Sequence, residues 1–125
     1  MLATPSVVDA VAKDKGDPEW RLVLEVEEGE WALPRAVWLL EEKLNSYASF
    51  ALDGRMIELY PHSHPEVTRI VVVSADPLPE KALWLLDKVA LALRPTKLKI
   101  SWGLGAVGGP PPAASDAGGT GGAKA

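Results

Sequence analysis

The chain has 125 residues, about one domain's worth, and its 47% hydrophobic and 24% charged residues suit a globular body with an apolar core. It contains no cysteine, which excludes disulfide staples, thiolate catalysis and cysteine-ligated zinc or iron–sulfur sites, and fits a reducing compartment. The net charge of −4 divides into −6 over residues 1–60 and +2 over residues 61–125, with an acidic stretch at Glu25, Glu27, Glu28 and Glu30; no basic surface for a nucleic-acid backbone is evident.

The first dozen residues show neither a basic leader nor an unbroken apolar core, since Asp9 interrupts the only candidate, so no secretion signal is expected. Apolar runs fall far short of the roughly 20 residues that span a bilayer. A cytoplasmic protein without membrane contact is the expectation. Val7 to Ala12 reads as a short β-branched strand, and residues 13–18 as a charged turn with Gly16 and Pro18. Trp20, Leu22, Leu24 and Val26 then alternate with Arg21, Val23, Glu25 and Glu27, the period of a strand with one face on a core.

A helix is predicted from about Leu33, with Pro34 near its first turn, where a missing N–H is harmless. Leu33, Val37, Leu40, Leu44, Tyr47 or Ala48, and Ala51 form its apolar stripe, and Gly54 suits a left-handed cap. Met56 to Tyr60 reads as a short extended piece, with a minor strand near Leu59, and residues 61–65 as a loop bounded by prolines. Ile70-Val71-Val72-Val73 is β-branched without alternation, so its strand should be central and covered on both faces.

Asp76-Pro77-Leu78-Pro79 opens a second helix running to about Leu93, with Ala82, Leu86, Val89, Ala90 and Leu93 on its buried face and Arg94-Pro95 as its stop. Leu98, Ile100 and Trp102 alternate with Lys97, Lys99 and Ser101, giving a last strand whose lysine row faces water and guards a sheet edge. The fold class is therefore α+β, a single four-stranded mixed sheet with two helices in the order ββαβαβ over residues 6–103. A Gly/Pro-rich tail, 104–125, contains Pro110-Pro111-Pro112 and is expected to be disordered.

Three patterns bear on chemistry. Residues 103–108 spell GxGxxG after a strand, but glycine and three prolines follow where a dinucleotide site needs a helix N-terminus, so chance in a glycine-rich segment is the better account. His62 and His64 could offer two imidazoles to a metal, with Glu58 or Glu66 as an imagined third ligand; two solvated loop histidines is the simpler account. No catalytic constellation and no cofactor are expected. The string from Ala36 to Lys43 echoes that from Ala82 to Val89, a match amphipathic helices reach easily.

The tryptophans carry more. At about 100° per residue, Trp38 and Trp84 each fall about 160° from their helix's apolar direction, Trp38 beside Glu42 and Trp84 beside Lys88 and near Leu91. An indole on a polar face is the kind of group that anchors an interface. Trp38, Glu42, Trp84, Lys88 and Leu91 are therefore the predicted interaction residues, for a homodimer or another protein partner.

Several strings taken in order also resemble a known family. Val8-Asp9-Ala10-Val11-Ala12 with Asp14-Lys15, then Leu39-Leu40-Glu41-Glu42-Lys43-Leu44-Asn45-Ser46-Tyr47, then Tyr60-Pro61, are similar to the "VIDAI…DK", "LLQEKIN.Y" and "YP" strings of the bacterial domain-of-unknown-function family 6572. The resemblance covers about residues 6–102 and implies one small cytoplasmic α+β domain, with no catalytic or binding residues to carry over. Together these readings favour a non-enzymatic interaction or regulatory module, immunity-like by analogy alone, over a metal- or ligand-binding domain at the histidine loop.

Overall fold

A computed structural model describes Leu2 and residues 8–105. Four strands form one mixed sheet in the order β1 (Ala10–Ala12), β2 (Trp20–Val26), β3 (Thr68–Ser74) and β4 (Lys99–Leu104). β1 and β2 make an antiparallel hairpin in register Ala10 with Val23, while β2, β3 and β4 run parallel, with Val23 beside Val71 and Val71 beside Ser101. The charged turn closes the hairpin as predicted: Gly16 takes φ +86°, and Arg21 reaches back to Asp14 at 3.0 Å.

Each parallel connection is a helical crossover. α1 (Ala36–Leu52) and the short α2 (Arg55–Leu59) link β2 to β3, and α3 (Glu80–Leu93) links β3 to β4. Leu22, Leu24, Val26, Ile70, Val72, Ile100 and Trp102 pack in one cluster with Leu40, Leu44, Tyr47, Leu86 and Ala90, so both long helices cover the same face of the sheet. The even-numbered rows of β2, β3 and β4 meet that face because strand side chains alternate. All seven residues of β3 are buried, as the unbroken β-branched run required.

Three local readings are corrected. The piece expected to be extended around Met56 is the helical turn α2. Gly54, at φ +93°, resets the chain, the Asp53 carboxylate accepts from the Arg55 N–H at 3.0 Å, and Met56 is drawn into the core. The first helix starts at Ala36 rather than Leu33, because Arg35 holds a left-handed conformation (φ 63°, ψ 26°) after a 3-10 turn at Glu30–Ala32. Leu33 is thereby left off the buried stripe and is exposed. The outward row of β4 is not wet either: Ser101 is 1% exposed and Lys99 only half-buried.

The predicted globular span begins at residue 6, and the tail at 104. Residues 6–7 and 106–125, with the last three positions of the GxGxxG string, lie outside the described residues.

Candidate functional site

The connection from β2 into α1 is tied down before the helix begins. The Glu30 carboxylate accepts from the backbone N–H of Glu27 at 2.8 Å and of Leu2 at 2.9 Å. Burial raises its pKa, but those N–H donors together with the positive charge of the chain's N-terminus outweigh it and hold Glu30 below the ordinary carboxylate value. The N–H of Gly29 donates to Asp76 at 2.8 Å, and Trp31 Nε1 donates to Ser74 Oγ at 2.9 Å, so this corner is stitched to the end of β3. Trp31 and Leu33 are thereby set at the mouth of a groove between the N-terminal halves of α1 and α3.

The groove consists of two adjoining depressions that share Val37, Trp38, Lys81 and Trp84. The larger has a volume of about 680 Å³, and its lining extends to Trp31, Leu33 and Arg35. The smaller continues along the helices to Leu85, Glu41 and Lys88. Trp38 is 47% exposed and Trp84 64% exposed, large fractions for indoles. Each ring has a cation on it: the Arg35 guanidinium lies 4.9 Å from the Trp38 centroid, and Lys88 Nζ lies 4.6 Å from that of Trp84. Both contacts hold the indoles in place without burying them.

Of the residues proposed from sequence, Trp38, Trp84 and Lys88 meet in this groove. Glu42 does not. It lines a separate, polar depression with Val8, Asn45, Ser46, Ser49, Phe50 and Arg55. Leu91 is 61% exposed two turns along α3, outside the lining of both depressions. Sequence reasoning missed Trp31, Arg35 and Lys81. The spacing held one of them, for Lys81 precedes Trp84 by three residues on α3 and so shares its side of the helix.

His62 and His64 are both exposed, in the loop before a 3-10 turn at Pro65–Val67. The His64 carbonyl accepts from Thr68 Oγ1 at 2.8 Å, so the loop is fixed by its backbone. Among the described residues, no three His, Cys, Asp or Glu side chains come together at metal-binding distance.

A second cluster lies on the opposite side of α1, and it is dry. Lys43 Nζ and Asp9 Oδ1 are 2.8 Å apart with both side chains 0% exposed. Asp9 Oδ2 accepts from the Glu25 N–H at 2.8 Å. The Tyr47 hydroxyl donates to the Val23 carbonyl at 2.8 Å and accepts from the Asp9 N–H at 2.7 Å. Burial pushes the Tyr47 phenol well above its ordinary ionisation range, with the Asp9 and Glu25 carboxylates adding to the shift. This network joins β1's lead-in, β2 and α1 at one point. On the helix wheel Lys43 falls about 60° from Leu40, inside the buried arc, and that was the sequence signal for it.

The fold and the groove define a class: a one-sheet α+β domain with both long helices on one face and a tryptophan-walled cleft between them. A family model described as a family of unknown function (DUF6572) matches residues 1–106, and the chain belongs to that family. No curated protein and no solved structure matches the chain. Asp9, Lys43 and Tyr47 sit in the very strings by which the chain resembles its family, so those strings spell a structural tie between sheet and helix. Among the described residues, no helix is long and apolar enough to cross a membrane.

Proposed function

We propose that this protein is a non-enzymatic interaction module that self-associates through the groove between α1 and α3. The observation that carries the reading is the convergence of Trp38 and Trp84 on one cleft, each held under a cation and exposed to 47% and 64%. Exposed indoles flanking a cleft are poised to gain by exclusion of water, and tryptophan and arginine are the residues on which binding energy concentrates.

A second copy is the occupant that the charges favour. The rim carries Arg35, Lys81 and Lys88 together with Glu80 and Glu41. A patch with both signs is self-complementary about a twofold axis, because each chain's cations can face its partner's carboxylates. A strongly one-signed rim would argue for a partner of opposite charge instead.

Sedimentation velocity across a concentration series tests this, comparing the wild-type chain with Trp38→Ala, Trp84→Ala and the double variant. The expected result is reversible dimerisation, weakened about tenfold or more by either substitution, as truncation of an anchoring residue does elsewhere. A wild-type chain that stays monomeric, or variants that dimerise as well as it does, would remove the reading.

A further inference from the structure

The outer face of α3 carries an ordered pattern of charge that extends past the groove. Taking Trp84 as zero at about 100° per residue, Leu91 falls within about 20° of it, so the two make a central apolar line. Glu80 and Asp87 fall about 40–60° to one side of that line, and Lys81 and Lys88 about 40–60° to the other. Trp84 and Leu91 are each more than half exposed, and all four charged residues are exposed. Among the described residues, none of the four enters an ion pair. The helix therefore turns an acidic flank, an apolar line and a basic flank to water. The basic flank is the one beside the groove: Lys81 and Lys88 line it with Trp38, whereas Asp87 lines neither depression.

We infer that two copies pair through α3 in parallel, about a twofold axis running along the helices, with Trp84 against the partner's Trp84 and Leu91 against the partner's Leu91. The inference rests on the self-association proposed above and gives it a geometry. The charges choose the direction. With the axis along the helices, the acidic flank of one copy meets the basic flank of the other at nearly the same height, because neighbouring residues differ by about 1.5 Å along the helix. Glu80 then faces the partner's Lys81, Asp87 faces the partner's Lys88, and symmetry makes each contact twice. With the axis across the helices, like flanks meet instead. Glu80 would lie beside the partner's Asp87 and Lys81 beside the partner's Lys88, so every attraction would become a repulsion. Flanking charges set helix direction in coiled coils by the same rule.

The parallel pair also serves the groove. The partner's acidic flank arrives on the side where Lys81 and Lys88 stand, with the Arg35 guanidinium beyond them on Trp38. The rim cations gain carboxylates while the Trp84 indole is covered. Leu91, which lies outside both depressions, is buried by the same contact.

Sedimentation velocity of charge-reversed variants tests the direction, with wild type and Trp84→Ala run alongside. Asp87→Lys alone sets a lysine against the partner's Lys88, and Lys88→Asp alone sets an aspartate against the partner's Asp87. Each should weaken dimerisation about tenfold or more. An equimolar mixture of the two restores opposite charges at both contacts, and should form heterodimers at concentrations where each variant alone is monomeric. Circular dichroism checks that each is folded; if either is not, Glu80→Lys and Lys81→Glu repeat the design one turn away. In an antiparallel pair Asp87→Lys would face Glu80 of the partner, so tighter dimerisation of that variant would overturn the inference. Dimerisation unchanged by either reversal, or a mixture no better than its components, would overturn it equally. In those outcomes self-association through the groove survives if wild type dimerises and Trp84→Ala weakens it; a monomeric wild type would remove both.

Discussion

The two sides of α1 invert the usual distribution of side chains. Towards the sheet the helix buries Lys43, ion-paired with Asp9 at 2.8 Å and out of reach of water, beside the Tyr47 hydroxyl. Towards α3 it leaves Trp38 about half exposed under the Arg35 guanidinium. A buried ion pair is a weak source of net stability, because desolvating both charges costs about as much as their attraction returns. What it supplies is registration: only one placement of α1 on β2 satisfies Lys43, Asp9, Glu25 N–H and Tyr47 together. The exposed indole contributes little to the monomer's own fold, and its value lies in what it can cover. One side of the helix therefore fixes where α1 sits, and the other is free to recognise.

The sharpest way to break that contrast is to remove one charge from the dry side. Lys43→Ala leaves the Asp9 carboxylate buried without its cation and should cost about 3–5 kcal/mol in urea unfolding. The double variant Asp9→Ala/Lys43→Ala should lose clearly less than Asp9→Ala and Lys43→Ala combined, because neither partner then keeps a charge whose counterion has been removed. Equal losses would mean that the pair is not coupled.

Tyr47→Phe strands the Asp9 N–H and the Val23 carbonyl and should cost about 1–3 kcal/mol. It also carries a pH signature. The folded phenol ionises well above the unfolded value of about 10, so its contribution is fully present below pH 10 and is lost as the pH rises beyond it. Wild-type stability should fall above pH 10 more steeply than that of the phenylalanine variant, as read by urea midpoints at pH 8, 10 and 11.

Trp38→Ala and Trp84→Ala should behave oppositely. Each should move monomer stability by no more than about 0.5 kcal/mol while acting on association. A large stability loss from either would mean that the groove is core rather than surface. Glu30→Gln tests the corner that presents Trp31. The folded carboxyl sits below 4.5, so its contribution is present above that pH and disappears as the pH falls through the folded value. The glutamine variant should show a flatter acid limb between pH 5 and about 3.

The smallest effect on association is expected at Arg35. A non-glycine residue at φ 63° carries about 1 kcal/mol of backbone strain. Arg35→Gly relieves it but pays back much of the gain in chain entropy, so stability should change by less than about 1 kcal/mol. Its cation leaves Trp38, however, and dimerisation should weaken modestly. A variant that associates as tightly as wild type would show that the cation does not position the indole.

Much of the local structure was legible in the residues alone. Alternation through Trp20–Val26, the unbroken β-branched run of β3, the stripes of α1 and α3, and the glycine after α1 each record a backbone period or a forced dihedral. The outward bearing of Trp38 and Trp84 follows from the same helical period. Periodicity reads one element at a time, which is why α2 was misjudged: a five-residue turn is shorter than any reliable period. It also could not join elements. That Trp38 and Trp84 wall the same cleft, that Glu42 and Leu91 lie outside it, that Lys43 meets Asp9 thirty-four positions away, and that Ser101 is buried on the face without helices were all settled by packing. The reason is physical. A sequence fixes which side of a helix or strand is apolar through rotation about its own axis, whereas the neighbour that side meets depends on how two crossovers lay their helices against one twisted sheet.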